Sequence, residues 1–189
     1  TELRQICCHP ALVLPDYTGS SGKLEMLLEV LPGAMAAGRR VLLFSQFTSM
    51  LKILRKQLEG SGYTCMYLDG ETPAGRRMEM TKEFNEGDTQ IFLISLKAGG
   101  TGLNLTGADM VIHYDPWWNP AAEDQATDRA HRIGQTRKVE VLRLVTHESI
   151  EEQVVALGQR KKALFDQLIT PGEELVTRLT EQDIRALFA

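Results

Sequence analysis

The side chains best suited to phosphate chemistry fall in one stretch, NPAAEDQATDRAHRIGQ, from Asn119 to Gln135. Gln125, Arg129 and Arg132 are spaced i, i+4 and i+7, so a helix over 120–132 projects all three from one face. Two arginines and a glutamine on one stripe are costly unless an anion meets them. Arginine presents a rigid fork of donors that stabilises charge building on a transferring γ-phosphoryl group. The bland alternative is ion pairing with Glu123 and Asp124.

A second anion-binding candidate is SLKAGGTGLNLTGAD, residues 95–109. Gly99, Gly100 and Gly102 cluster at the end of an apolar run, where backbone N–H groups can approach an oxyanion closely. Ser95, Lys97 and Thr101 add donors. Leu105 occupies the third glycine position of the dinucleotide fingerprint, so that motif is absent, and a plain tight turn is the competing reading. A third candidate is a decoy. Gly19 to Leu24 resembles a phosphate-binding P-loop, but Tyr17 stands where the first glycine belongs and Leu24 replaces the magnesium-holding hydroxyl. Lys23 reads instead as the first turn of an amphipathic helix. No Asp-Glu dipeptide occurs either, so the chain has no evident means of holding a nucleotide's magnesium and β-phosphate by itself. His9, His113, His131 and His147 lack metal spacing with the cysteines, and no metal ligation is expected.

The elements that must position these groups follow from periodicity. Apolar runs at 41–44, 63–68, 91–94, 110–114 and 139–145 read as strands. The first four are apolar almost throughout rather than alternating, which suits strands covered on both faces. Helices read at 21–31 (Leu24, Leu27, Leu28, Leu31) and 48–59 (Leu51, Leu54, Leu58). Thr72 before Pro73 and Asn119 before Pro120 signal helix starts, each with a capping side chain and proline in the first turn. Ser149 with Glu152 forms a capping box for a helix over 150–169. Residues 170–189 read as a loop and a short acidic helix capped at Thr180, with Asp183 at the third position. Strands alternating with helices predict an α/β fold, a parallel sheet with helices on both faces. The loops 45–47, 69–72, 95–103 and 115–119 should then share the edge formed by the carboxyl ends of the strands.

Composition sets outer limits. The chain has 189 residues, 43% apolar and 24% charged, ordinary for one globular domain and against disorder. Net charge is −4, so bulk charge does not point to nucleic acid. Locally, Arg129, Arg132, Lys138, Arg137 and Arg143 face a single acid, Glu140, and such a stripe marks a phosphate site or a solvated face. Three cysteines make no disulfide framework, which favours a reduced, intracellular setting. No apolar run reaches the ~18 residues needed to span a bilayer, so no membrane partner is expected. The first residues, TELRQICCHP, do not read as a signal peptide, and Thr at position 1 suggests a piece of a longer protein.

Several motifs in order make the chain recognisable. YDPWWNPAAEDQATDRAHRIGQ (114–135) closely resembles the last helicase motifs of the SWI/SNF family of ATP-dependent DNA translocases. LRQICCHPAL (3–12), VLLFSQFTSML (41–51), YLDGETPAGRR (67–77), SLKAGGTGLNLTGAD (95–109) and SIEEQVVALGQRKK (149–162) resemble further segments of that family, so the likeness spans nearly the whole chain. It implies a RecA-like helicase C-terminal lobe, P-loop NTPase-like but lacking its own P-loop. The implied layout is an opening segment over 1–20, the lobe over 21–148, and a brace helix with a C-terminal extension over 149–189. In such enzymes ATP with Mg2+ lies between two lobes, and the N-terminal RecA-like lobe, absent here, holds the magnesium. The resemblance assigns Arg129 and Arg132 as arginine fingers, Gln125 as the link between nucleotide state and lobe position, and backbone near Gly102 as the nucleotide edge. It assigns Ser45, Gln46, Gly70, Arg76, Ser95, Lys97, Gly99 and Gly100 to double-stranded DNA phosphates, and Trp118 to a place beside the duplex. Lys97 stands where many members have arginine, which keeps the charge and loses the bidentate geometry. The lack of a long insertion leans toward a compact bacterial or archaeal member, acting as a monomer in the cytoplasm or nucleoid; a eukaryotic member would be nuclear.

Rival readings are a non-catalytic DNA- or protein-binding module that kept the fold, and a strand-separating helicase of the wider superfamily. A nucleotide-binding oxidoreductase is disfavoured by the missing fingerprint. Trp117 is expected mainly in the core, and Met78 and Met80 likewise.

Overall fold

A computed structural model describes residues 1–99 and 102–168. Gly100, Thr101 and the 170–189 segment, including the expected cap at Thr180, lie outside the described residues. Five parallel strands form one sheet in the order β2-β3-β1-β4-β5, with β1 Val41–Ser45, β2 Cys65–Leu68, β3 Ile91–Ser95, β4 Met110–His113 and β5 Glu140–Arg143. Ser45 is in register with Ser95, and Phe44 with His113, so the strands end nearly level. The chain leaves β1 toward β3 and β2, and leaves β4 toward β5. The crevice between the ends of β1 and β4 is therefore the topological switch point, where sheets of this kind bind ligands.

Both faces are covered, which is why β1, β3 and β4 are buried at every position and apolar up to their last residues, Ser45, Ser95 and His113. One face (Val41, Leu43, Ile91, Leu93, Ile112) packs against α2 (Gly22–Ala36) and α3 (Thr48–Gly60) through Leu27, Leu31, Leu51, Leu54 and Leu58. Cys8 of α1 (Glu2–Cys8) closes that layer. The other face (Leu42, Phe44, Phe92, Ile94, Val111) meets α4 (Ala74–Glu86) through Met80 and Phe84. It also meets α5 (Leu96–Gly99) and α6 (Pro120–Thr127), the latter through Ala126. Each fully buried leucine contributes about 2 kcal/mol by leaving water. A 3-10 turn, Pro10–Leu12, follows α1, and α7 (Ile150–Leu168) runs across α1 and α6.

Local signals were legible with four corrections. Ser21 caps α2 by accepting from Leu24 N at 3.3 Å, and Asn119 caps α6 by accepting from Ala121 N at 3.2 Å, with Pro120 first in the helix. Thr72 is not a cap. Asp69 draws it back into the 69–72 turn, where Thr72 Oγ1 accepts from Asp69 N at 3.2 Å, and extended Pro73 precedes α4 with no capping side chain. Ser149 does accept from Glu151 N (3.2 Å), but the Glu152 carboxylate turns to His147 Nδ1 (2.8 Å) instead of closing the box. The expected helix over 120–132 ends at Thr127. There Ala130 N bonds to Thr127 O in a tight turn, and the carbonyl of Arg129 is taken at 2.8 Å by Leu105 N, a partner 24 residues upstream. Met78, expected in the core, is exposed, whereas Met80 is buried.

Candidate functional site

Two groups of residues come together. The first forms around the turn after α6. With the helix ended, Arg129 and Arg132 are not on a helical face as expected; they leave a turn that lies against the 102–108 loop. Arg129 Nε donates to Gln125 O (3.0 Å), and the side chain is only 4% exposed. Arg132 is exposed, and its Nη1 lies 3.4 Å from Gly102 O. Gly102 makes this approach in a left-handed backbone, φ 60°, which disfavours any residue with a Cβ. Gln135 Nε2 ties the same turn to Thr106 O (3.1 Å) and Ala108 O (2.6 Å). Arg129, Arg132, Gln125 and Gly102 are thus neighbours. The Gln125 side chain faces solvent.

Charge distinguishes these arginines from the rest of the basic stripe. Arg137 pairs with Asp109 at 3.2 Å, and Arg143 with Glu123 at 2.8 Å. Among the described residues neither Arg129 nor Arg132 forms an ion pair with a carboxylate. Glu123 and Asp124, the alternative partners, are taken by Arg143 and Lys162. Burial, and then the neighbouring Arg132 charge, push the Arg129 guanidinium below its ordinary range. Asp128 only partly offsets this from a distance, and two neighbouring cations with no carboxylate in direct contact are an arrangement that a phosphate would relieve.

The second group lines the edge at the carboxyl ends of the strands. Ser45 ends β1 with Gln46 after it, Asp69 and Gly70 follow β2, Ser95 ends β3 with Leu96 to Gly99 after it, and Asp115 to Trp118 lie in the loop after β4. Lys97 and Gly70 are exposed there, and Trp118 is half-buried. Arg76 lies one turn into α4, exposed and engaged by Glu79 (3.1 Å) and Glu83 (2.8 Å). Two hydroxyls face inward instead. Ser45, 1% exposed, donates to Asp115 Oδ1, and buried Ser95 accepts from Ala98 N at 3.3 Å. Their side chains secure the loops; a contact to an outside phosphate from these two residues would fall to backbone.

Asp115 sits at the switch point and was missed in the sequence. Its carboxylate accepts from Ser45 and from Gln46 N (3.3 Å), tying the loop after β4 to the loop after β1. Burial raises its pKa, and the hydrogen bond from Ser45 opposes that shift. Arg4 of α1 was also missed. It donates to Pro116 O and stacks over Trp117 (5.2 Å) and Phe47 (5.8 Å). Trp117 N donates to Glu123 Oε1 at 2.7 Å, so α6 and α1 both hold the 116–117 segment. An acid directly after a strand in YDPWW was the available signal for Asp115; nothing local marked Arg4. His113, one turn deeper, lies 3.0 Å from Thr127 Oγ1 and stacks on Phe44, and burial lowers its pKa to about 4. Among the described residues no group of three or more His, Cys, Asp or Glu side chains gathers to hold a metal.

Comparison with known proteins agrees with this architecture. The helicase conserved C-terminal domain matches residues 22–134, more than half of the chain. A candidate ATP-dependent helicase/translocase of Bacillus subtilis, YwqA, is 42% identical over 193 residues, covering 99% of this chain and 21% of that protein. The SWI/SNF chromatin-remodeling complex subunit snf22 of Schizosaccharomyces pombe is 38% identical, covering 91% of this chain and 11% of that protein. The Sulfolobus solfataricus SWI2/SNF2 ATPase core in complex with dsDNA superposes with a TM-score of 0.74 at 34% identity, covering 98% of this chain and 40% of that one. The chain spans about a fifth or less of the length of these curated relatives. On sheet, loops and sequence together, the chain belongs to the helicase conserved C-terminal domain family, in its SWI/SNF group.

Proposed function

We propose that this chain is the second lobe of an ATP-driven double-stranded DNA translocase or remodeller. A companion N-terminal RecA-like lobe of the same protein would hold ATP and its magnesium, and this lobe would complete the nucleotide site and grip the DNA backbone. The observation that carries the reading is the unpaired couple of Arg129 and Arg132, beside Gly102, in a basic stripe whose other described arginines have carboxylates. ATP with Mg2+, when bound, supplies the phosphoryl group; magnesium ligation is left to the companion lobe.

The exposed Arg132 is the group free to reach outward as an arginine finger. Arg129, held by Gln125 O, sits behind it and adds positive potential. Gln125, on the last turn of α6, links that pair to the helix and so to lobe position. On the sheet edge, Lys97, Gly70, Gln46, Gly99 and the loop of Ser45 and Ser95 would meet DNA phosphates. Such contacts position a protein without reading sequence. Arg76 would exchange its two glutamates for phosphate, and Trp118 would lie beside the duplex. Gly100 belongs to the same assignment, outside the described residues. Alternate closing and opening of the lobes would then step the grip along the backbone. A monomer at work inside the cell completes the reading.

The two-lobe protein tests it by its DNA-stimulated ATP turnover. Arg132→Ala should lower turnover by on the order of 10³-fold while DNA affinity stays within about 2-fold. The chain alone should hydrolyse no ATP. Near-normal turnover in the variant, or magnesium-dependent turnover by this chain alone, refutes the proposal.

A further inference from the structure

The lysine of the decoy motif has a task that the proposed function leaves unused. Lys23 and Glu151 are buried, 6% and 0% exposed, and pair at 2.5–2.6 Å across 128 residues of sequence. Lys23 Nζ also donates to Tyr114 O at 3.0 Å, the carbonyl on which the YDPWW loop begins. The second carboxylate oxygen of Glu151 accepts from Thr146 N at 2.8 Å, fixing the turn into α7. Around the pair, Tyr114 Oη and Ser21 Oγ both donate to Cys8 O, and Thr146 Oγ1 donates to Cys7 O. The ends of α1 and β4 and the starts of α2 and α7 meet at this point.

From there α7 runs beside the loop. Glu151, Gly158 and Lys161 are seven and three residues apart, so they lie along one helical face. A Cβ on Gly158 would stand 3.4 Å from Trp118 O and 3.5 Å from the Pro120 ring, ordinary contact distances that leave no room for a side chain extending further in that direction. Lys161 Nζ sits 5.2 Å over the Trp118 ring. A buried charge pair is a poor source of stability but a strict geometric constraint: losing one partner strands a charge, and only one docking satisfies both.

We infer that Lys23 and Glu151 are positioning residues, which lock α7 against the Tyr114 carbonyl and so hold the Trp118 loop at the height needed to engage DNA. This rests on the proposed placement of Trp118 beside the duplex. A rigid support held from below keeps the ring presented when DNA is absent, so that little ordering cost remains at binding.

The experiment uses the two-lobe protein and a double-stranded oligonucleotide, measuring ATP turnover against DNA concentration. Lys23→Met/Glu151→Met removes both charges together, which avoids stranding one of them. We expect the DNA concentration for half-maximal stimulation to rise about 5–10-fold, with ATP KM and turnover without DNA within about 2-fold. Trp118→Ala should give a rise at least as large. The triple variant should be no worse than Trp118→Ala alone, because the pair acts through that ring; a merely structural role would make the losses add. If Trp118→Ala leaves DNA dependence unchanged, the placement of Trp118 fails. If Trp118→Ala weakens DNA use but the Lys23/Glu151 variant does not, or the two losses add, the positioning role fails. Gly158→Leu, which drives a side chain into Trp118 O and Pro120, should reproduce the loss with the pair intact, and an unchanged DNA dependence there also overturns the inference.

Discussion

His113 makes the fold acid-sensitive in a predictable way. The ring is 1% exposed at the end of β4, stacked on Phe44 and bonded to Thr127, and burial lowers its pKa from 6.5 to about 4. Below its unfolded value the unfolded chain takes up a proton that the native state refuses, so stability falls as pH drops from about 6.5 toward 4. From 7 to 5 this group alone removes about 2 kcal/mol, and about 3 kcal/mol by the time the native ring also protonates. Asp115 acts with the opposite sign, since burial raises its carboxyl, and other carboxylates also titrate in this range. A difference between two proteins cancels them. The assay is urea unfolding of the chain at several pH values, wild type against His113→Gln, which keeps a polar end near Thr127 without a titrating ring. The variant should be less stable at pH 7 and lose about 2 kcal/mol less between pH 7 and 5. Parallel pH profiles for the two proteins would refute the reasoning.

Further outcomes follow from the same geometry. Leu43→Ala, in the middle of the central strand with no exposed surface, should cost about 2–5 kcal/mol in urea unfolding. Asp115→Ala takes the carboxylate acceptor from the buried Ser45 hydroxyl and from Gln46 N–H, and should lower stability by about 1–3 kcal/mol in the same assay. Lys97→Ala in the two-lobe protein should reduce the salt dependence of DNA affinity by about one unit of slope, read from binding isotherms at several salt concentrations. An unaltered slope would take Lys97 off the DNA path.

The sheet was readable because its cause is local. Runs such as VLLF and IFLI are apolar at consecutive positions, which suits a strand covered on both faces. The cap at Asn119 was readable for the same reason, completed within two residues. What failed was decided at long range. Helix α6 stops early because Leu105 claims the Arg129 carbonyl, an event invisible within residues 120–132. Lys23 read only as a first-turn helix residue, and its burial was hidden because its partner is 128 positions away. Ser45 looked like an exposed contact because Asp115, which takes its hydroxyl, belongs to another strand's loop. The arginine pair was nominated by type and spacing, yet its exposure, one side chain tucked in and one out, depended on the turn that replaced the predicted helix.

The sheet is bordered by β2 and β5, each only four residues long. A stray chain pairing along either margin would gain few backbone hydrogen bonds. Borders this brief discourage edge-to-edge polymerisation of the sheet.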